Sequence, residues 1–285
     1  MNAMPQSTPE EEPLRERPPR RSHRARNLTL FTLLWTFAVV VILAGIAAWY
    51  VNTPWFENQM RRVVIAELAK STGGRVELKK FSWRPTHLEF EADDLTIHGL
   101  EGAGQVPYAH VDRLYVRLQI ISFFRRKIGM NYLEADHPVI HLIVYPDGST
   151  NQPKPKHPAT GNATSELFNL AAGRAVVNNG VAILNEREIP FNLAVDRLAA
   201  QVGYVPARDV YAGTLHAEDV DAQRGDDTPV HSQLDASAEV GRNSASLASL
   251  TLLTGPQGKV QKTVLRASGT LNNFADPQWQ FTMKG

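Results

Sequence analysis

Arg113-Leu-Tyr-Val-Arg-Leu-Gln-Ile120 is the stretch that decides the fold. Leu114, Val116, Leu118 and Ile120 are apolar, and Arg113, Tyr115, Arg117 and Gln119 stand between them. Successive side chains of an extended chain point to opposite faces, so this alternation describes a half-buried strand. A sheet with one apolar and one hydrophilic face follows.

The pattern continues on both sides. Leu88, Phe90 and Ala92 alternate with Glu89 and Glu91, but beyond Asp93-Asp94 the apolar positions are Leu95 and Ile97. One extra residue there would restore the face, so a bulge is expected. Downstream, 139–145 is apolar on both sides apart from His141 and ends in the turn signal Pro146-Asp147-Gly148. The run 175–184 is interrupted by Asn178-Asn179-Gly180, which reads as a hairpin turn. Ile189, Phe191, Leu193 and Val195 alternate again, and further runs at 211–218, 230–240, 247–253, 264–271 and 279–283 complete the chain. Gly213-Thr-Leu echoes Gly269-Thr-Leu, a mild sign of repeated hairpins. The expected fold class is mainly β, a curved antiparallel sheet built as a meander.

What precedes the strands is helical. Residues 28–51 carry no charge, and about 20 apolar residues span a bilayer core of roughly 30 Å. An uncleaved transmembrane helix is expected. The rival is a cleaved signal peptide, with Gly45-Ile-Ala as its site, but the apolar run exceeds a signal core and Trp49-Tyr50 follows at once. Arg15, Arg17, Arg20, Arg21, Arg24 and Arg26 crowd the near side of the span, so the N-terminus is expected in the cytoplasm and the body outside. Residues 1–27, rich in Pro, Glu and Arg, read as a disordered basic tail. Thr53-Pro54 starts a second helix over 52–74, with Phe56, Met60, Val63, Val64 and Leu68 at helical spacing and Gly73-Gly74 as its stop. Its apolar stripe would either cap the sheet or lie on the membrane. Strands then fill 75–150, a Pro-rich loop occupies 151–164, and strands resume through 165–285, with a short helix read at its start over 165–172. The last strand is expected to be a free edge, either because the chain is the N-terminal portion of a longer one or because the edge meets a partner.

Composition narrows the chemistry. The chain has 285 residues, a net charge of +1 and no cysteine. Thiolate catalysis, disulfides and cysteine-held metals are excluded, and the charge argues against nucleic acid as a partner. His110, His137 and His141 lack a carboxylate cluster at ligand spacing, so no metal is expected. Asp93-Asp94 and Asp226-Asp227 read as a bulge and a turn, not as an acid–base pair. The glycines at 99, 102 and 104 open no helix after a strand, as a nucleotide loop must. No catalytic residue and no cofactor are expected; the protein reads as a non-enzyme. Arg125-Arg126-Lys127 is either a solvated hairpin tip or, with Trp55 and Phe56, a contact for anionic headgroups at the membrane surface.

The order of parts resembles the AsmA and TamB families of Gram-negative envelopes. The resemblance rests on Arg75-Val-Glu-Leu-Lys-Lys-Phe-Ser-Trp, Asp94-Leu-Thr-Ile-His-Gly, Ala109-His-Val-Asp-Arg-Leu-Tyr-Val-Arg-Leu, Leu133-Glu-Ala-Asp-His-Pro-Val-Ile-His-Leu and Ala267-Ser-Gly-Thr-Leu-Asn-Asn-Phe-Ala-Asp-Pro-Gln, following one N-terminal anchor. It implies an open β-groove at the periplasmic face of the inner membrane, related to bridge-like lipid transfer proteins, with phospholipid as ligand and the membrane as partner. It also implies the alternative of an interaction module for outer-membrane protein assembly, with an assembly factor meeting the C-terminal edge strand. A membrane-tethered structural or regulatory β-sandwich would show the same alternation. The groove reading makes Leu88, Phe90, Leu114, Val116, Leu118 and Ile120 the lining residues.

Overall fold

A computed structural model of the chain describes residues 23–102, 104–122, 127–155, 173–255, 263–274 and 276–285. Most of the basic tail, the helix read at 165–172, most of the Pro-rich loop, Arg125 and Arg126 lie outside the described residues, as do the side chains of Ile120 and Lys127. The chain divides into two compact units, Met1–Tyr50 and Val51–Gly285. The first is formed by helix α1 (His23–Val51). Within α1, Phe31–Val51 is 21 residues long and apolar enough to cross a membrane. Thr36, a polar residue in this run, returns its hydroxyl to the Thr32 carbonyl at 2.7 Å, which satisfies it without water.

The second unit holds α2 (Pro54–Thr72) and eleven strands. These are β1 (Arg75–Arg84), β2 (Glu89–His98), β3 (Ala109–Ser122), β4 (Lys127–Val144), β5 (Arg174–Glu186), β6 (Phe191–Val205), β7 (Val210–Arg224), β8 (Val230–Val240), β9 (Ser244–Thr254), β10 (Thr263–Asn272) and β11 (Gln278–Lys284). They form one open sheet in sequence order, with β1 and β11 at its edges. The protein is mainly β, as its alternation requires.

The ends of α2 obey local chemistry. Thr53 is extended and its hydroxyl accepts the Phe56 N–H at 3.3 Å, with Pro54 at the first helical position. Gly73 stops the helix at φ 79°, where its N–H reaches the Ala69 carbonyl at 3.0 Å. The inner stripe of α2, Met60, Val64, Ile65, Leu68 and Ala69, packs on Val76, Leu78, Phe81, Ala92 and Leu95 of β1 and β2.

One strand pairing departs from the expected meander: β4 and β5 are parallel. The long connection between them makes this feasible, since a parallel neighbour needs a crossover of a dozen residues or more. Its first part folds back as a strap. Thr150 bridges Val144, and the Asn151 side chain accepts the Ile143 N–H and donates to the His141 carbonyl, each at 2.8 Å. Asn151 thereby supplies the ladder that no strand provides here, and it is fully buried. Its carbonyl accepts the Leu100 N–H at 2.7 Å, and Pro153 and Lys154 lie against Gly74 and Gly73.

Gly73 therefore has two reasons to be glycine. Its φ is left-handed, and a methyl there would collide with the Lys154 carbonyl. Gly73→Ala is expected to cost about 2 kcal/mol or more, from the conformational penalty of roughly 1–2 kcal/mol plus displacement of the strap. Urea unfolding of the detergent-solubilised chain measures it, with Gly45→Ala, where a methyl meets nothing, as the neutral control.

Candidate functional site

Cross-strand partners share a face, so the register traces what each face carries. One transverse row begins at Phe81 and passes through Ala92, Leu114, Ala135 and Val177 on β2 to β5. It continues through Ala200, Leu215, Ala236, Leu250, Ala267 and Met283, which carries it to β11. A neighbouring row runs from Trp83 through Phe90, Val116, Leu133, Ala175 and Val202 to Gly213, Ala238, Leu247, Gly269 and Phe281. Neither row contains a polar side chain. Along these two rows one face of the sheet is thus apolar across all eleven strands. The echoed glycines, Gly213 and Gly269, both fall in the second row, and the Phe281 ring lies over Gly269 where a methyl would collide with it.

This continuity depends on a phase correction in each of seven strands. Leu78 and Phe81 belong to one apolar cluster, as do Ala92 and Leu95, so the two residues between each pair face the other way. The doubled residues are Lys79-Lys80, Asp93-Asp94, Asp112-Arg113, Asp136-His137, Asn178-Asn179, Asp196-Arg197 and Glu218-Asp219 on β1 to β7. The second residue of the pair takes positive φ in four of them: Asp94 (60°), His137 (49°), Asn179 (52°) and Arg197 (51°). From β1 to β5 they align into a crease running across the strands; the doublings of β6 and β7 align with each other but are offset from that of β5 by a pair of register shifts.

Two expectations change here. The slip at Asp93-Asp94 is not a bulge, because β1–β2 and β2–β3 keep one register on both sides of it. All three strands slip together, and the left-handed conformation of Asp94 absorbs the turn. Asn178-Asn179-Gly180 is not a hairpin, because β5 runs unbroken through it. The tolerance of Asn for left-handed backbone serves the crease instead of a chain reversal.

Side chains bridge the crease from strand to strand. Lys79 Nζ lies 2.7 Å from Asp94 and His137 Nδ1 2.9 Å from Asp112 Oδ2 across neighbouring strands, and within β3 His110 Nε2 lies 3.0 Å from Asp112 Oδ1. Beside this ladder Lys80 meets Asp93 at 3.3 Å, Arg113 pairs with Asp136, and Asn178 donates to Asp136 at 2.8 Å. Lys80, Asp93, Arg113 and Asp136 alternate in sign across β1 to β4, which neutralises the hydrophilic face locally. Doubling residues on that face makes it the longer one, which favours bending toward the apolar side. The alanines agree: Ala217, on the apolar face between Leu198 and Leu234, is 0% exposed, whereas Ala199 on the hydrophilic face is exposed.

The proposed lining residues divide. Phe90, Leu114, Val116 and Leu118 lie on the apolar face, with Phe90 stacked on Phe81 at 5.8 Å. Ile120 pairs with Ile128 at the backbone. Leu88 is not in a strand: it sits in the β1–β2 turn at φ 53°, where its carbonyl accepts the Leu118 N–H at 2.9 Å. Trp55 is exposed and Phe56 half-buried on the first turn of α2. The alternation of Phe191, Leu193 and Val195 on β6 was legible, but no lining residue was read from β5 to β10, where small residues such as Ala175, Ala200, Gly213 and Ala238 replace large ones along the two rows.

Two shallow depressions of about 560 and 440 Å³ lie over β5 to β9, on the hydrophilic face. Their polar side chains already bond one another: Arg174 to Gln201 at 2.7 Å, His216 to Asp235 at 2.6 Å and Ser237 to Ser249 at 2.8 Å. They are furrows above rows of small residues, without convergent unpaired groups. Among the described residues no group of three or more His, Asp or Glu is placed to hold a metal ion. Compared with known proteins, the chain matches no family model and no curated protein.

Three of the crease carboxylates, Asp94, Asp112 and Asp136, are held ionised. Hydrogen bonds from His137, then from His110, lower the pKa of Asp112; Asn178, then Arg113, lower that of Asp136; Lys79 lowers that of Asp94. A carboxylate whose folded pKa lies below its unfolded value of about 3.9 contributes stability that is present at neutral pH and lost as pH falls through the folded value. Unfolding midpoints should therefore be flat from about pH 7 to 5 and fall below about pH 4. The double change Asp112→Asn, Asp136→Asn should make the acid fall shallower; an equally steep fall would remove the crease from the account. Asn179→Gly should be neutral or stabilising, whereas Asn179→Val should cost about 1–2 kcal/mol at a left-handed position.

Proposed function

We propose that this protein is a non-catalytic carrier whose apolar sheet face accepts the acyl chains of phospholipid. Its setting is the periplasm, tethered to the bacterial inner membrane by α1, and its role is phospholipid movement between inner and outer membranes during envelope biogenesis. The observation that carries this reading is the apolar face itself. It extends over eleven strands, and among the described helices only α2 packs on it, at the β1 end. A sandwich would cover such a face with a second sheet, and the described strands form a single sheet. Ile140, Val202 and Phe281 on this face are 47%, 41% and 59% exposed. Acyl chains would gain about 0.8 kcal/mol per buried methylene there with little demand on side-chain identity. The arginines before α1 favour a cytoplasmic N-terminus. The resemblance to AsmA and TamB points the same way.

Leu215→Asp tests the reading. A carboxylate in the middle of the acyl track has no partner to neutralise it, and an uncompensated polar group of this kind costs about 1–3 kcal/mol or more. Phospholipid co-purifying with the chain, measured by mass spectrometry, should fall about tenfold. Thr214→Asp, its neighbour on the hydrophilic face, should leave lipid unchanged. Equal lipid in the two variants would contradict the reading.

A second reading rests on the edges. All seven residues of β11 are exposed, and Trp279, Phe281 and Met283 extend the apolar rows to a free strand. Such an edge suits strand addition by an outer-membrane assembly factor or another extended segment. Thr282→Pro would abolish function under this reading, while Leu215→Asp would be tolerated.

A further inference from the structure

Exposure along the apolar face is graded. In the transverse row Val76–Ile97–Ala109–Ile140, Val76 is 6% exposed and Ile140 47%. Leu78, Phe81, Ala92 and Leu95, under α2, are 2–7% exposed.

The helix that covers them is fastened at both ends. Arg61 Nη1 donates to the carbonyls of Leu78 (3.2 Å) and Lys79 (3.1 Å), where β1 enters the crease. Glu57 Oε1 accepts the Trp83 N–H at 3.3 Å. At the other end Gly73 and Gly74 are wedged against the strap and the His98 carbonyl. Lifting α2 would break these bonds and expose the best-packed apolar cluster of the described residues. The bonds also occupy free backbone groups of an edge strand, which closes that edge to strand addition.

We propose that α2 is a fixed seal and not a gate, so that an acyl chain boards the face at β3–β4, beside Ile140, and never occupies the β1–β2 end. This rests on the lipid-carrying reading and adds the place where the ligand first meets the protein. The geometry gives the face one closed end, and transit runs from β4 toward β11.

The chain has no cysteine, so single-cysteine variants label without background. Leu95→Cys and Leu68→Cys, on the two sides of the α2–sheet contact, would be compared with Ile140→Cys and Val202→Cys in the full-length protein in phosphatidylethanolamine vesicles whose acyl chains carry a diazirine. Maleimide should modify the first two about 100-fold more slowly, as protection by a packed element demands, and of these four positions lipid adducts should form at 140 and 202 but not at 68 or 95. Adding Glu57→Ala and Arg61→Ala should raise labelling of Leu95→Cys toward that of Val202→Cys. Rapid labelling or a lipid adduct at position 95 with the clamp intact would overturn the seal. Slow labelling at 95 with no lipid adduct on any strand would overturn the lipid-carrying reading, and with it the boarding point, while leaving the clamp standing; adducts on α1, which is apolar enough to lie in the bilayer, serve as the internal positive control.

Discussion

A strand shows alternate side chains to opposite faces, and a single uncorrected slip exchanges the two faces for the rest of its length. Everything described here depends on how β1 to β7 manage that slip. Each doubles one polar residue; the doublings lie opposite one another from β1 to β5 and again between β6 and β7, while the β5–β6 and β7–β8 pairings shift register beside them. Left-handed backbone at Asp94, His137, Asn179 and Arg197 supplies the local geometry, and the paired charges of neighbouring strands settle the doubled side chains. Without these corrections the apolar face would be broken into short patches.

The two ends of the face differ in kind. At β1 the sheet is closed: α2 lies over the apolar cluster and its Arg61 and Glu57 take backbone groups of the edge. At β11 the strand is exposed throughout, with Trp279 against Phe281 at 6.2 Å. The strap from Asn151 to Pro155 holds the β1 end through contacts with Gly99, Gly74 and Gly73.

Much of this was legible in the residues. The mainly β fold, the apolar helix before it and the caps of α2 at Thr53 and Gly73 all follow from alternation, length and cap chemistry. Phe90, Leu114, Val116 and Leu118 were found because large apolar residues alternate cleanly with charged ones. Three things were hidden. Leu88 continues the alternation by one position into a turn, where a positive φ and not a face decides its place. The parallel pairing of β4 with β5 leaves no local mark, because strand direction is set by a connection and not by a side chain. The crease was read only at Asp93-Asp94, yet the same signature, two adjacent polar residues between oppositely phased apolar runs, recurs at Lys79-Lys80, Asp112-Arg113 and Asp196-Arg197. One occurrence resembles a bulge; it is the recurrence in successive strands that means a shared fold line.

The most direct measurement is a photoreactive-residue scan along β7 in cells, from Tyr211 to Ala222, scored for phospholipid adducts. On this strand the apolar positions are odd through Ala217 and even from Val220. The account predicts adducts at 211, 213, 215 and 217, then a change of phase, with adducts at 220 and 222. Adducts that stay on odd positions through 221, that fall on Thr214 and His216, or that are absent throughout would contradict it.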